Sequence, residues 1–264
     1  MEKVDQSKGK VMCILQARMG SRRLPGKVLL RVQGVPLLER EVKRIKRAKT
    51  VDKIVIATTT NKEDDAIENL AKRIGVDCFR GSEKDVLDRY YQCALLYPGF
   101  SSIVRVTGDC PLIDPLVIDQ VISLFRRRHL DYASNIQKET FPDGMDIEVF
   151  TRKALAEAAI AARLPSEKEH VTLYMRRKRK FKKANLAAEY DFSHIRLTVD
   201  QKEDFEVIKF LIERSRLQDG YRKYISLLIK HPEIMKKNMR IMRNEGLKKS
   251  LKKDRVMARN NVKT

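Results

Sequence analysis

Residues 16–27 read Gln-Ala-Arg-Met-Gly-Ser-Arg-Arg-Leu-Pro-Gly-Lys and follow an apolar run, Val-Met-Cys-Ile-Leu, at 11–15. The run predicts a buried strand. The loop after it carries Gly20, Gly26, Ser21 and the cations Arg18, Arg22, Arg23 and Lys27. Those residue types suit a polyphosphate. Glycine lets the backbone approach an anion closely, and N–H groups with planar guanidiniums bond several phosphate oxygens at once. Lys27 adds a compact charge for a leaving group. The spacing is neither a Walker A loop, because Val28 follows Lys27, nor a Gly-x-Gly-x-x-Gly fingerprint. A second candidate is Asp109, which follows the apolar run at 102–107 and precedes a proline-held turn. A carboxylate there is placed to hold Mg²⁺, which takes one or two carboxylates and completes its shell with water and phosphate oxygens.

The elements that must position these groups alternate. Apolar, β-branched runs at 11–15, 53–60, 77–80 and 102–107 predict strands. Helical spacing at 36–48, 63–74, 85–96 and 115–128 predicts helices between and after them, with Asn61, Ser82 and Asp114 as starts. This is the pattern of a doubly wound α/β fold with a mostly parallel sheet, in which ligands gather at the carboxyl ends of strands. The loop at 18–27, Thr59, Arg80-Gly81 and Asp109 all fall at such ends. The second half predicts strands at 131–135, 145–150, 181–186 and 195–200, and helices at 151–163, 166–175 and 204–217.

Composition narrows the class. With 264 residues, 42% hydrophobic and 34% charged, the chain can bury one large core or a domain plus a subdomain. Its apolar runs fall far short of the ~18 residues of a membrane span. The first ten residues lack the apolar run of a secretory signal, so a cytoplasmic location is expected. Cys13, Cys78, Cys93 and Cys110 form no Cys-x-x-Cys and are expected as free thiols. No zinc-ligand spacing occurs among the histidines. The net charge is +21, of which residues 235–264 supply +9 from eleven lysines and arginines against two acids. A basic body suits anionic substrates.

The segment at 16–27 closely resembles the nucleotide loop of cytidylyltransferases that make CMP-activated sugar acids. The match falls on Ala17, Arg18, Ser21, Arg23, Leu24, Pro25, Gly26 and Lys27, and Gln16 and Gly20 bring it nearest the spore-coat polysaccharide branch. The resemblance continues at 81–90, where Lys84 departs from it, at 105–115, at 141–150, at Glu-His-Val-Thr 169–172 and at 196–205. It implies a nucleotide-diphospho-sugar transferase architecture over 11–217, with a dimerisation insertion at about 131–190 and a homodimer. It implies Arg18, Arg23, Lys27 and Asp109 as catalytic groups. Nucleotide contacts are expected from Gln16, Ala17, Arg18, Gly20, Ser21, Arg23, Lys27, Thr59, Arg80, Gly81 and Asp88. Asn135, Asp146, Glu148, His170 and Arg196 form the expected substrate-binding set. Asp109 and Asp200 are implied as Mg²⁺ ligands, with Asp204 starting the next helix.

The implied reaction is attack of a sugar-acid hydroxyl on the α-phosphorus of CTP, giving a CMP-sugar and pyrophosphate. A nonulosonic acid is favoured over a 3-deoxy-octulosonic acid. A nucleotidyltransferase for another base or sugar, a non-catalytic nucleotide module, and a nucleic-acid-binding protein stay open beside it. Against the last, aromatics are only 6%, tryptophan is absent and the basic runs lack interleaved stacking residues. Residues 218–264 are expected as a basic extension, with 235–264 a solvated tail outside the catalytic unit.

Overall fold

The computed structural model describes residues 9–261. Strand β1 (Lys10–Gln16) leads through a 3₁₀ turn and the small hairpin of β2 (Arg31–Val32) and β3 (Val35–Pro36) into α1 (Leu37–Ile45). Then follow β4 (Lys53–Thr59), α2 (Asp65–Arg73), β5 (Asp77–Gly81), α3 (Val86–Leu95), β6 (Phe100–Thr107) and α4 (Pro115–Arg127). Successive residues of β1 feed opposite layers: Val11, Cys13 and Leu15 pack with Leu38, Val42 and Ile118, whereas Met12 and Ile14 pack with Leu87, Tyr90 and Leu155. A strand covered on both faces must be apolar throughout, which is why this segment shows no alternation. β5, β4, β1 and β6 are parallel and adjacent, with Gln16 opposite both Ala57 and Thr107. Their carboxyl ends therefore share one edge.

The second half adds β7 (Tyr132–Ser134), β8 (Glu148–Thr151), α5 (Arg152–Ala161), α6 (Pro165–Glu169), α7 (Leu173–Arg177) and β9 (Lys183–Asn185). The chain ends in α8 (Lys202–Glu213), α9 (Tyr221–Lys230), α10 (Pro232–Met235) and α11 (Glu245–Asn261). The sheet order is β5-β4-β1-β6-β8-β7-β9, with β8 antiparallel to both of its neighbours. Residues 131–190 thus extend the main sheet. None of the described helices is long and apolar enough to cross a membrane.

The structure corrects three readings. Residues 195–200 form no strand of the sheet; they bridge Asp143 at Arg196, and their amides bond the carbonyls of Phe192, Asp143 and Asp109. A loop-to-loop partner satisfies the same backbone groups that a ladder would. The helix expected at 166–175 is two, α6 and α7, broken where Val171 takes a positive φ of 54°. The boundary at 217 falls inside the body. Tyr224, Ile225 and Leu228 of α9 lie in the main core, and the Tyr221 N–H donates to Asp114, the cap of α4, at 2.9 Å. Gly220 makes that approach possible, because a Cβ there would meet the Asp114 carboxylate at 2.5 Å.

The basic segment also departs from expectation. Asn238 is buried and donates to the Arg196 carbonyl and the Asp204 carboxylate. Ser250 and Asp254, on the inner face of α11, are buried against α6. This docking is largely polar, so a hydropathy pattern does not register it.

Candidate active site

The close fit of β1 and β6 sets the site. The Gly108 N–H donates to the Gln16 carbonyl at 2.8 Å, and a Cβ on Gly108 would lie 2.9 Å from the Ala17 methyl. Glycine is therefore required where the two strand ends meet. The following turn delivers Asp109. The loop at 18–26 is closed on Met19, whose carbonyl accepts from Ser21 and Gly26, while its N–H donates to the buried Asp64 at 2.7 Å. Asp64 also takes the Thr59 amide and hydroxyl, so Thr59 anchors the loop rather than facing it.

Four groups from three sequence-distant segments then converge. The Lys27 Nζ lies 2.8 Å from Asp109 Oδ2 and 2.8 Å from Asp200 Oδ1, and Arg23 Nη2 lies 3.0 Å from the same Asp200 oxygen. Burial opposes the ammonium, but Asp109 and Asp200 outweigh it and hold Lys27 up to about 12. Burial likewise opposes the Asp109 carboxylate, yet Lys27 holds it down to about 2. An ammonium already bridges the two acids, so the pair can accept a cation. Hard carboxylate oxygens beside a polyphosphate are also the donor set Mg²⁺ takes. Among the described residues, no group of three or more His, Cys, Asp or Glu could hold a metal by protein ligands alone. Beneath the turn, Glu41 is fully buried and accepts from the Cys110 amide; burial, reinforced by Asp109, pushes its carboxyl well above the usual range.

Arg196 holds Asp200 from behind. Its guanidinium donates to Asp200 at 2.8 Å, to Asp143 at 2.5 Å and to Asp204 at 2.8 Å. It therefore orients an acid, and it also lines the cavity beside the cluster. Asp204 starts α8 and accepts from the amides of Asp200 and Gln201.

A cavity of about 240 Å³ opens beside this cluster, and Arg23, Asp109, Asp146, Glu148, His170, Arg196 and Asp200 of the expected site residues line it. Glu148 is buried and directly opposite Arg105 across β6 and β8, paired with it and with the hydroxyls of Tyr132 and Thr172. Burial opposes its charge, but Arg105 and these donors hold its carboxyl below the usual range. Asp146 pairs with Arg243 at 2.5 Å. The His170 ring nitrogen bonds the Ser250 hydroxyl at 3.0 Å. Asn135 does not line the cavity; its amide spans the Met145 carbonyl and the Ile147 amide and fixes the strand that carries Asp146 and Glu148. At the other end, Arg18 pairs with Glu83 on the surface, and Arg80 is engaged by Asp65, Glu68 and the carbonyls of Thr59 and Asn61. Asp88 accepts from Gln92 on its own helix, and Asp85 rather than Ser82 caps α3.

Sequence reasoning missed Arg105, Asp143, Thr172, Arg176 and Arg243. One signal existed for Arg105: a single cation flanked by the apolar residues Ile103, Val104 and Val106 of a strand. Arg176 lines the cavity and makes no side-chain hydrogen bond or ion pair among the described residues. Arg243 is one of many cations in a basic segment, and nothing in that pattern distinguishes it.

A mostly parallel sheet whose carboxyl edge carries a cationic loop and Asp109, met there by Asp200 from a loop and by an adjoining cavity, has the layout of a nucleotidyltransferase. The chain belongs to the cytidylyltransferase family, whose model matches residues 12–248. It is 38% identical to an uncharacterized protein of Methanocaldococcus jannaschii over 88% of this chain and 96% of that one. It is 35% identical to the spore coat polysaccharide biosynthesis protein SpsF of Bacillus subtilis over 84% of this chain and 95% of that one. Among solved structures, a cytidylyltransferase from Leptospira borgpetersenii superposes with a TM-score of 0.83 at 38% identity, covering 89% of this chain and all of that one. The matched span runs through the boundary at 217 and into the basic segment, in keeping with the packing of α9 and of residues 238–254.

Proposed function

We propose that the protein transfers the cytidylyl group of CTP to a hydroxyl of a sugar acid, of nonulosonic type, for a cell-surface polysaccharide. The observation that carries this reading is the Lys27 ammonium held between Asp109 and Asp200, two acids that line the cavity. The acceptor oxygen bonds to the α-phosphorus, the bond to the β-phosphate oxygen breaks, and the acceptor's proton leaves with solvent. Arg23 and Lys27 exchange their carboxylate partners for phosphate oxygens of CTP, and Arg18 does so from the outer edge of the loop. Their charge then lies where the departing pyrophosphate gains its own, which lowers the barrier without a covalent intermediate. Mg²⁺ held by Asp109 and Asp200 would supply charge neutralisation at the α-phosphate. Arg196 keeps the Asp200 carboxylate aimed at that position. Arg176, unpaired among the described side chains, offers a guanidinium to the acceptor's carboxylate. The similarity to a spore coat polysaccharide biosynthesis protein supports the polysaccharide destination of the product.

The test is pyrophosphate release in a matrix of four nucleoside triphosphates against a panel of sugar acids and neutral sugars. Release is expected only with CTP and a sugar acid. Equal release with every triphosphate, or with neutral sugars alone, would overturn the reading. The same proposal includes a homodimer, checked by light scattering at micromolar concentration.

A further inference from the structure

Residues 243–247 lie at the start of α11 and just before it, more than ninety positions from Asp146, yet they close one side of the cavity. Asn244, Gly246 and Leu247 line it. Arg243 is held by Asp146 at 2.5 Å and by the Phe141 carbonyl at 3.1 Å, and its Nε lies 3.7 Å from both Glu139 and Asp143. That Nε is buried and hydrogen-bonds no described group. Asn244 donates to Glu139 at 2.6 Å. Glu245 accepts from Arg23 at 2.8 Å, which ties the segment to the triphosphate loop. Further along, Ser250 bonds Glu169 and His170, and Asp254 takes the Ser166 amide and hydroxyl. Residues spread through the body therefore hold a segment that a charge count reads as solvated.

Three acids, Glu139, Asp143 and Asp146, converge on Arg243. Without a cation among them, mutual repulsion and burial would favour their neutral or displaced forms. Burial, reinforced by Asp143 and Glu139, pushes the Asp146 carboxyl up to about 7 even against Arg243, and the guanidinium's hydrogen bond fixes its orientation at the cavity wall. Resting on the sugar-acid reading above, we propose that residues 243–247 form the acceptor-side wall of the site. In this wall Arg243 is a positioning residue that presents Asp146 to the hydroxyl or amino hydrogens of the acceptor. The segment thus selects an acceptor rich in donor groups on that side, and it does so from the same chain that binds the nucleotide.

Cys110 provides a test that needs no acceptor. Its thiol is buried at the edge of the main core and lines the cavity that removal of the wall would open further, whereas Cys13 and Cys93 are buried away from the cavity. Methyl methanethiosulfonate labelling of the full-length chain, read by peptide mass spectrometry, is expected to be about tenfold or more faster at Cys110 in Arg243→Ala than in the native protein, with Arg243→Lys close to native. Unchanged Cys110 labelling in a folded Arg243→Ala would overturn the wall. If Arg243→Ala unfolds, seen as labelling of Cys13 and Cys93, Leu247→Ala takes its place: faster Cys110 labelling supports the wall and unchanged labelling overturns it. Kinetics then read the positioning role with CTP and either N-acetylneuraminate or 3-deoxy-manno-octulosonate. Arg243→Ala should raise the acceptor KM about tenfold or more and leave the CTP KM within about twofold. Equal rises in both would overturn it. A native enzyme that turns over no sugar acid would sink the functional reading alone, because the labelling still decides the wall.

Discussion

Lys27 and Asp200 are 173 positions apart in the chain and 2.8 Å apart in the structure. The contact closes the site, because it joins the loop after the first strand to the turn that precedes α8. Asp109 completes the arrangement from the end of β6. Each acid is thus neutralised by the cation that a triphosphate is expected to draw away.

Asp109→Asn and Asp200→Asn are each expected to abolish turnover at millimolar Mg²⁺ while the fold persists. An amide keeps the shape and loses the charge, and the loss of a carboxylate that positions phosphate charge costs several kcal/mol in the transition state. Pyrophosphate release measured beside circular dichroism checks this. Near-native rates in either variant would remove that residue from the chemistry.

Lys27→Ala should lower kcat by about 10²–10³, the usual cost of removing one preorganised donor at developing charge. The acceptor's KM should hardly move, since Lys27 does not line the cavity and belongs to the loop proposed to hold the triphosphate. A change confined to that KM in steady-state kinetics would place the lysine elsewhere.

Acid stability should report the same pair. Lys27 holds Asp109 at about 2, below its ordinary 3.8, so the folded state gains from this carboxylate above pH 3.8 and loses that gain as pH falls through 2. Lys27 sits at about 12, above 10.5, so its own contribution is full below pH 10.5 and fades as pH rises through 12. Urea midpoints between pH 2 and 5 should fall less steeply in Lys27→Met than in the native protein. Parallel slopes would mean that the pair adds nothing to stability.

Arg44 is 2% exposed, and its guanidinium donates to the carbonyls of Ile113, Leu217 and Asp219 at 2.6–2.8 Å. It joins α1 to the approach of α9. Arg44→Met leaves the buried Ile113 carbonyl and the Leu217 carbonyl without that donor, while the Asp219 carbonyl keeps the Tyr224 hydroxyl, at a cost of about 2 kcal/mol or more. The shift in the urea midpoint measures it. A variant as stable as the native chain would show that water replaces the guanidinium.

The strands and helices of the first half were legible in the sequence. Val11 to Leu15 and Ile54 to Thr58 are apolar runs with no plausible place except between two layers, and the amphipathic segments between them must cover those layers. The glycines, arginines and Lys27 at 18–27 sit within one turn of a strand end, so local chemistry alone marks an anion site. Asp109 was legible for the same reason. Arg23, Lys27 and Asp109 are short-range readings, Asp200 rests on resemblance to the family's late aspartate, and the fold brings the four together.

Other features depend on contacts that no local pattern encodes. The run at 195–200 reads as a strand by its residues, but its backbone is satisfied by the loops at 109 and 143. Asn135 reads as a substrate contact and Thr59 as a nucleotide contact; in three dimensions their polar groups bond Ile147 and Asp64. The basic segment is the largest case. Its charge and sparse apolar residues describe a solvated tail, yet Asn238, Arg243, Ser250 and Asp254 each meet a polar partner far away in the chain. Hydropathy counts what a segment can bury against apolar surface. It carries no information on which distant carboxylates and hydroxyls the fold will set in front of it, and those decided where this segment lies.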